Sequence, residues 1–332
     1  MIIKQKYNSA FDIDIEFITP LENLLDNIIP SFNFIKNYEK SADEDNNFIY
    51  YLFFGAETNS PIGFAMIEII RGREIKQNIF QRLIKKTRLE ANKYEYSLKW
   101  SIPGKSNEGV VFSPRYNSHA NREINKIVEN LFERQDIIGQ SITLSDAYND
   151  DSFSKINKEI INNSLVKNCS NYQEYIEKKS PDVKKNIKKS WKNIQMTNDI
   201  KLGDYKKFKE AFEYKSQGSK QFMELKKNKT VSNYIGLDNE EVIYLTFEDP
   251  EKLKSIVFFI KGKNSNAFYD FISLDNSIPE ETIHQLAIMK FYDLENSNKL
   301  IFLNKSEHNE HLSNLGFTMK TIYTIEKEKS SQ

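Results

Sequence analysis

The strongest constraint on the fold is a pattern of apolar runs that occurs once in each half of the chain. Residues 49–54 and 62–69 are two such runs separated by a polar turn, and residues 242–247 and 256–262 repeat the arrangement. Runs of this length, rich in β-branched and aromatic residues, predict antiparallel strands joined as hairpins. Another β run, an amphipathic helix and a final β run follow each hairpin. This order predicts an α/β (α+β) fold in which each half has a mixed, mostly antiparallel sheet flanked by helices.

The helices predicted to complete the two repeats lie at residues 121–135 and 279–294, where apolar residues recur at helical spacing. A chain of 332 residues is long for one domain and of ordinary length for two. We therefore predict a duplication, with an N-terminal domain over residues 1–167 and a C-terminal domain over residues 168–332. Related half-domains commonly form a binding site where they meet, so we expect any active site in or beside that junction.

Other segments carry periodic patterns outside the repeat. Residues 11–18 alternate strictly between apolar and polar and predict a half-buried strand. Thr19 and Pro20 then read as a cap and a first helical position, which predicts a helix over residues 21–32. Residues 153–166 also predict a helix. Further helices are predicted over residues 75–92, 172–194 and 205–231.

The charge of the chain limits the class of partner. The 47 basic and 47 acidic residues give a formal net charge of zero, which argues against a dedicated binder of nucleic acid or membrane. The charge is nevertheless segregated, because residues 12–68 are mostly acidic and residues 184–229 are rich in lysine. A nonspecific nucleic-acid binder is therefore one hypothesis, and it requires affinity that falls steeply with salt.

The single cysteine, Cys169, permits no disulfide within the chain and fits a reducing compartment. The N-terminus lacks the apolar core of a signal peptide, and no apolar run approaches the roughly 20 residues that span a bilayer. We therefore expect a cytoplasmic protein without a membrane span. His308 and His311 lack a cluster of further ligands, and Cys169 lacks a histidine motif beside it. Neither a metal nor a cysteine nucleophile is expected.

A row of lysines stands out in the predicted helix over residues 172–194. Helical spacing places Lys184, Lys188 and Lys192 on one stripe, with Lys185 and Lys189 on the adjacent one. Like charges at this spacing destabilise a helix by about 0.2–0.5 kcal/mol per pair. One hypothesis is that this basic stripe binds a phosphate-bearing ligand, such as a nucleotide-linked substrate, coenzyme A or tRNA. The alternative is a solvated helix face in a lysine-rich protein.

The second half resembles a known family. The segment Asn171–Ile194, with its basic helix, precedes a three-stranded meander, a helix, a strand and the ending Leu312-Ser-Asn-Leu-Gly-Phe317. This order resembles the second domain of tandem-GNAT proteins, the FemABX-like peptidyltransferases and their BioF2-like acyltransferase relatives. The resemblance implies two tandem GNAT-like domains that transfer an acyl or aminoacyl group to an amine acceptor. It implies aminoacyl-tRNA or acyl-coenzyme A as donor, with no metal.

The sequence departs from the GNAT pattern at the coenzyme A loop. Single-domain members carry a glycine-rich loop whose backbone N–H groups hold pyrophosphate at a helix start. The corresponding segments here are 117–121 and 276–280, and neither has that loop. Glu280 and Glu281 at a helix start also repel phosphate. The departure favours aminoacyl-tRNA or an unusual acyl donor.

The third strand of the second meander carries a carboxylate. Strand alternation places Tyr269, Phe271 and Ser273 on one face and Asp270 on the other. We take Asp270 as the candidate general base that accepts a proton from the attacking amine, with Tyr269 or Tyr244 nearby. The alternative is a carboxylate satisfied at the edge or end of the sheet.

A loop in the first half supplies further candidates for binding a phosphate-bearing substrate. In Ser113-Pro-Arg115-Tyr116-Asn-Ser-His119, Arg115 is suited to clamp an anion and Tyr116 to donate a hydrogen bond. His119 is the histidine in the most site-like context, with a possible role as a base. Its alternative role is that of a loop histidine near a helix cap.

Two functional classes follow from these residues. The first is an acyl- or aminoacyltransferase in which Asp270 and Tyr269 act on the amine, while Lys184, Lys185 and Lys188 hold the donor with help from Arg115. The second is a GNAT-like protein that has lost catalysis and serves as a binding or scaffolding protein, which the missing loop and the scarcity of histidine favour. The sequence does not fix the acceptor or the oligomeric state.

Overall fold

The structure of the protein is a computed structural model. It describes residues 2–42, 45–57, 59–74, 94–104, 108–134, 136–145, 155–197, 200–203, 223, 231, 234, 242–248, 253–262, 264–273, 279–303 and 310–328.

Seven helices and thirteen strands are assigned within these residues. The helices are α1 (Ile15–Leu24), α2 (Phe32–Ser41), α3 (Asn117–Phe132), α4 (Tyr172–Glu177), α5 (Pro181–Thr197), α6 (Glu280–Asp293) and α7 (Glu310–Asn314). The strands of the first half are β1 (Ile2–Tyr7), β2 (Asn47–Gly55), β3 (Pro61–Glu74), β4 (Tyr94–Trp100), β5 (Val110–Phe112), β6 (Ile137–Leu144) and β7 (Lys155–Val166). Those of the second half are β8 (Ile200–Gly203), β9 (Val242–Glu248), β10 (Leu253–Lys261), β11 (Asn266–Ser273), β12 (Lys299–Phe302) and β13 (Thr318–Glu328).

The strands form one continuous sheet in the order β1-β2-β3-β4-β6-β13-β7-β12-β11-β10-β9-β8, and β5 pairs with β3 beside this path. Two pairs are parallel, β4 with β6 and β11 with β12, and the remaining pairs are antiparallel. Helices lie on both faces. The predicted class is therefore confirmed: a mixed, mostly antiparallel sheet flanked by helices.

The centre of the sheet relates the two halves by an exchange of strands. β7, from the first half, pairs with β12 of the second, and β13, from the second half, pairs with β6 of the first. β7 and β13 pair with each other. In the order β6-β13-β7-β12, β6 corresponds to β12 and β13 to β7. The arrangement is therefore symmetric between the two halves. Each half completes its part of the sheet with the last strand of the other, so a site in one half can include residues of the other.

The first face of the sheet, the outer face, is covered by separate helices in the two halves. In the first half, Trp100 and Ile142 form a core with Ile127 of α3. In the second half, Tyr269 and Phe302 form a core with residues of α6. α4 and α5 lie against α6, since Tyr175 and Ile187 belong to the same cluster.

The opposite face holds one core that both halves share, which we call the junction core. Phe34 and Phe64 come from the first half, and Tyr234, Phe258 and Phe268 from the second. Three side chains of the second half also donate hydrogen bonds across the junction: Asn264 Nδ2 to Asn23 Oδ1 (3.0 Å), Asn266 Nδ2 to the Asp26 carbonyl (3.0 Å) and Lys299 Nζ to Asn27 Oδ1 (2.7 Å). The halves are thus packed against each other through a continuous apolar cluster.

Several predicted elements are confirmed. The helices predicted at residues 121–135 and 279–294 correspond to α3 and α6, and each is followed by a strand as expected. The helix predicted over residues 172–194 is present as α4 and α5 with a break between them. The prediction over 75–92 lies outside the described residues. The helix predicted over residues 205–231 also lies outside the described residues, except at positions 223 and 231, which are helical.

Three predictions are wrong. Residues 11–18 do not form a strand: a short 3₁₀ turn, Ala10–Asp12, is capped by Ser9, and α1 begins at Ile15 and runs through Pro20. Ile15 is 89% exposed, so the alternation does not mark a buried face. Residues 153–166 do not form a helix, because the segment from 155 lies in the centre of the sheet as β7 and pairs on both sides. The helix predicted over residues 21–32 is replaced by the end of α1 and the start of α2.

Candidate functional site

The parallel pair β11–β12 ends where the candidate base lies. The paired residues run from Asn266 and Lys299 to Tyr269 and Phe302, and the Leu303 N–H donates to the Tyr269 carbonyl at 3.0 Å. Asp270 is the next residue of β11. Beyond it, no strand among the described residues pairs with β11 on this side. Among the described residues, the sheet therefore opens beside Asp270.

The Asp270 carboxylate is buried and held by two hydrogen bonds. The residue is 5% exposed. Its Oδ2 accepts from the Tyr234 hydroxyl at 2.7 Å, and its Oδ1 accepts from the Phe271 N–H at 2.8 Å. Burial raises the pKa of Asp270 to about 6, although both hydrogen bonds favour the charged form. A carboxyl group with a pKa close to neutrality is suited to accept and return a proton.

Tyr234 connects this carboxylate to the first half. Its ring stacks on Phe258 with centroids 4.5 Å apart and lies 5.6 Å from the ring of Phe34, on α2. Burial, followed by the charge of Asp270, raises the pKa of Tyr234 far above its ordinary value. Tyr234 is therefore a neutral hydroxyl that donates to Asp270 and is fixed by aromatic contacts from both halves.

Tyr269 lies on the outer face of the sheet, away from Asp270. Its hydroxyl is 2.9 Å from His284 Nδ1, and its ring stacks on Phe302 at 4.8 Å. Burial, followed by the charge of His311, lowers the pKa of His284 to about 3, so this imidazole is neutral. The alternation predicted for β11 thus separates Tyr269 from Asp270, and the tyrosine that contacts Asp270 is Tyr234. The structure describes the backbone of Tyr244 but not its side chain, so the predicted proximity of Tyr244 to Asp270 stays a prediction.

The basic stripe is on α5, on the outer-face side of the sheet. Lys185, Lys188 and Lys192 are exposed and Lys184 is half-buried, and within the described residues none of them makes an ion pair. Trp191 anchors the helix by packing beside Ile283 of α6. The ring of His284, in the first turns of α6, lies 5.6 Å from the ring of Phe271, the residue after Asp270. The first turns of α6, and the part of α5 packed on them, therefore lie at the same end of the sheet as Asp270 but on the other face.

The candidates from the first half lie at the start of α3. Arg115 and Tyr116 are in a 3₁₀ turn, Pro114–Tyr116, and α3 begins at Asn117. Arg115 is exposed, and Tyr116 packs partly against the core beneath α3. His119 is in the first turn of α3 and not in a loop. The structure brings these three residues together at one helix end, in the half that does not contain Asp270.

The first half has its own carboxylate where its parallel pair ends. The pairing of β4 with β6 ends at Trp100 and Ile142. The next residue of β6, Thr143, accepts a hydrogen bond at its carbonyl from the N–H of Gly109, at 2.7 Å. Glu108, immediately before, is 4% exposed and forms an ion pair with Lys320 of the exchanged strand β13. Glu108 therefore has a cation as its partner. Asp270 has none within the part of the chain that the structure describes.

Sequence reasoning missed Tyr234, Glu108 and Lys320. No local pattern marks them, because each acquires its partner through the fold: Tyr234 meets Asp270 across 36 positions, and Lys320 meets Glu108 across 212. A carboxylate within an apolar strand was the signal that identified Asp270. The same reasoning does not reach Glu108, which follows a loop.

Neither a metal-binding cluster nor a membrane-spanning helix is found among the described residues. They contain no group of three or more histidine, cysteine, aspartate or glutamate side chains arranged to hold a metal ion. Among their helices, none is both long and apolar enough to cross a membrane.

No protein-family model matches the sequence, and no curated protein matches it. Solved structures give distant matches. The N-myristoyltransferase of Saccharomyces cerevisiae with bound myristoyl-CoA has a TM-score of 0.44 and 10% identity, over 99% of this chain and 80% of that one. The C-terminal domain of a putative lysylphosphatidylglycerol synthetase from Agrobacterium fabrum has a TM-score of 0.47 and 7% identity, over 94% and 92%. A GCN5-related N-acetyltransferase from Sphaerobacter thermophilus has a TM-score of 0.39 and 7% identity, over 98% and 95%. At this level of similarity, neither a shared activity nor a shared substrate follows.

Proposed function

We propose that the protein is an acyltransferase of the tandem GNAT type, which transfers an acyl or aminoacyl group from a phosphate-bearing donor to an amine. The observation that carries the proposal is Asp270: a buried carboxylate without a cationic partner among the described residues, placed where a parallel strand pair ends. A buried carboxylate that is hydrogen-bonded but not paired with a cation still costs stability when it is charged. A function that uses the charge explains why it is there. The family resemblance of the second half supports the same reaction.

The proposed reaction needs one base and no covalent intermediate. The Asp270 carboxylate accepts a proton from the acceptor ammonium, and the free amine attacks the acyl carbonyl of the donor. The new C–N bond forms as the C–S bond of a thioester, or the C–O bond of an aminoacyl ester, breaks. The proton that the amine loses on bond formation goes to the leaving thiolate or alkoxide, and Asp270 releases the ammonium proton to solvent, which restores the carboxylate. Tyr234 is a positioning residue that orients the carboxylate.

The donor would approach from the outer face. The lysines of the basic stripe lie on that side of the sheet. Lys192 is next to Trp191, which packs beside Ile283 in the first turns of α6, and Lys188 and Lys184 lie about one and two helical turns earlier on α5. The opening beside β11 separates that face from Asp270. We propose that Lys184, Lys185 and Lys188 hold the donor phosphates and that the acyl group reaches the junction through this opening. Arg115, Tyr116 and His119 form a second candidate phosphate contact at the start of α3. Acyl-coenzyme A and aminoacyl-tRNA both supply such phosphates.

A second function, that of a binding or scaffolding protein without catalysis, has one observation in its favour. Asp270 and Tyr234 are 5% and 1% exposed, so the carboxylate is closed off in the structure as it stands. For this function the junction core only joins the halves. The two functions differ in one respect that is measurable: only the transferase turns over a donor.

The test is a turnover assay with the purified full chain. A panel of acyl-coenzyme A thioesters and a panel of aminoacyl-tRNAs are each mixed with primary amines, and amide products are identified by mass spectrometry. The transferase hypothesis requires an amide product with one donor class, and the class that reacts distinguishes the two donors. The binding hypothesis requires none with either.

Variants of the basic stripe complete the test. Lys184→Glu with Lys188→Glu reverses two charges on one face of α5 and is expected to raise the KM for the donor, with a smaller effect at high salt. Lys4→Glu with Lys6→Glu is the matched control, because both lysines are exposed on β1. An equal response of the two double variants would rule out a donor site on α5.

A further inference from the structure

A groove in the first half lies away from both parallel strand pairs and has no part in the proposed reaction. Its volume is about 450 Å³, within the range of about 300–1,000 Å³ typical of small-molecule sites. It is formed where α1 crosses the end of the β1–β2 hairpin, and the turn between β2 and β3 closes one side. β1 is the end strand of the sheet, so the groove lies at the margin of the molecule.

The floor of the groove is apolar. Ile3 of β1 lies opposite Phe54 of β2 in the strand register, and the ring of Phe17 meets that of Phe54 edge-to-face at 5.1 Å. Pro20 of α1 also lines the groove. Ile3 is 50% exposed, and Phe17 and Phe54 are half-buried. A concave surface of exposed aliphatic and aromatic groups favours a ligand with an apolar arm.

The charge beside this floor is negative. Glu16 of α1 is the one ionisable side chain among the described residues that line the groove, and it is exposed. Asp14, two residues earlier, is the N-cap of α1. The N-terminus of a helix carries about half a positive charge, and the two carboxylates outweigh it. Asp14 and Glu16 are also among the causes, after burial, that raise the pKa of Tyr7 to about 12, so their negative field acts at this margin.

We infer that this groove binds a small organic ammonium ion with an aromatic or branched apolar arm. The ammonium pairs with Glu16, and the arm lies on Phe17, Phe54 and Ile3, where a ring face also attracts the cation. Amides and a hydroxyl at the rim, from Gln5, Asn59 and Ser60, provide hydrogen-bonding groups around the charge. The inference does not depend on the proposed transferase, because it uses no residue of that site.

Three probes of one shape test the charge requirement. Phenethylammonium, 2-phenylethanol and phenylacetate are titrated into the full chain at neutral pH and low salt, and binding is followed by NMR chemical shifts. An exposed ion pair contributes about 0.2–1 kcal/mol, so the amine is expected to bind up to about 5-fold more tightly than the alcohol. The anion is expected to bind most weakly, and the differences are expected to shrink as salt screens Glu16.

Two variants locate the site. Glu16→Gln is expected to make the amine and the alcohol bind alike, whereas Asp12→Asn, on an exposed residue that does not line the groove, leaves the preference unchanged. Ala56→Trp places a large ring in the groove from an exposed turn residue and is expected to abolish binding of all three probes. Equal affinity for amine and alcohol in the unmodified chain would overturn the inference. So would a preference that survives Glu16→Gln, binding that survives Ala56→Trp, or no binding of any probe.

Discussion

Replacing Asp270 with asparagine removes a charge from the protein interior, and we predict that it stabilises the folded chain at alkaline pH. The ordinary pKa of this carboxyl is 3.8, and burial raises it to about 6 in the folded protein. A raised pKa means that the folded state binds the proton more tightly than the unfolded state does. The charge therefore costs stability above pH 6, and the cost disappears as the pH falls from 6 to 3.8.

The size of the effect follows from the difference in pKa. A difference of about 2 units corresponds to roughly 3 kcal/mol, at about 1.4 kcal/mol per unit. Asparagine resembles the protonated acid in shape, and its amide remains within reach of Tyr234 and of the Phe271 N–H. We expect the variant to be more stable than the unmodified chain by about 1–3 kcal/mol at pH 8. At pH 4 we expect a difference of less than roughly 1 kcal/mol, because the unmodified carboxyl is then mostly protonated.

Urea unfolding at pH 8 and pH 4 measures both quantities, with the slope m compared between variants to confirm that the folded state is equally compact. Asp293→Asn is the matched control, since Asp293 is exposed at the end of α6, and its effect is expected to stay within about 0.5 kcal/mol. A destabilised Asp270→Asn variant at pH 8, or a change of equal size at both pH values, would refute the assignment of a costly buried charge.

Three other regions give independent predictions. The pKa of His284 is lowered to about 3, so the free energy of unfolding is expected to fall as the pH drops from about 6.5 towards 3. His284→Gln should remove most of this pH dependence when the free energy of unfolding is measured at a series of pH values. For the Glu108–Lys320 pair, a double-mutant cycle of unfolding free energies with Glu108→Gln and Lys320→Met should give a coupling energy of about 1–3 kcal/mol. This value is below that of a fully buried pair because the lysine is partly exposed, and a coupling of zero would mean that the pair does not hold the exchanged strand. Gly104 has φ +138°, and an added Cβ would clash with the Ile28 carbonyl oxygen. Gly104→Ala should therefore lower the urea midpoint by at least the equivalent of about 1 kcal/mol.

The hairpins and the two helices that follow them were predictable because their signals are local. Apolar runs with strand alternation and helices with apolar stripes gave the hairpins, α3 and α6 from residues that are neighbours in sequence. The alternation on β11 also placed Tyr269 and Asp270 on opposite faces, as the structure has them. Patterns of this kind depend on the period of the backbone and need no knowledge of the partner strand.

The centre of the sheet was not predictable in this way. β7 reads as a helix by local pattern, but pairing with β12 and β13 on its two sides decides its conformation. The partners lie in the other half of the chain, so no window around residues 155–166 contains them. The same limit applies to the candidate site: Asp270 was singled out from its own strand, whereas Tyr234, which donates a hydrogen bond to its carboxylate, was not.

The proposed role of Asp270 is best tested by the pH dependence of kcat/KM for amide formation, measured on the unmodified chain, Asp270→Asn and Tyr234→Phe. A general base contributes about 10²–10⁴-fold, so Asp270→Asn should lose at least about 100-fold while Asp293→Asn keeps full activity. The unmodified chain should lose activity below an apparent pKa of about 6. Tyr234→Phe should move that acidic limb to higher pH, because it removes a hydrogen bond to the charged carboxylate. Full activity of Asp270→Asn with an unchanged pH profile would contradict the proposal.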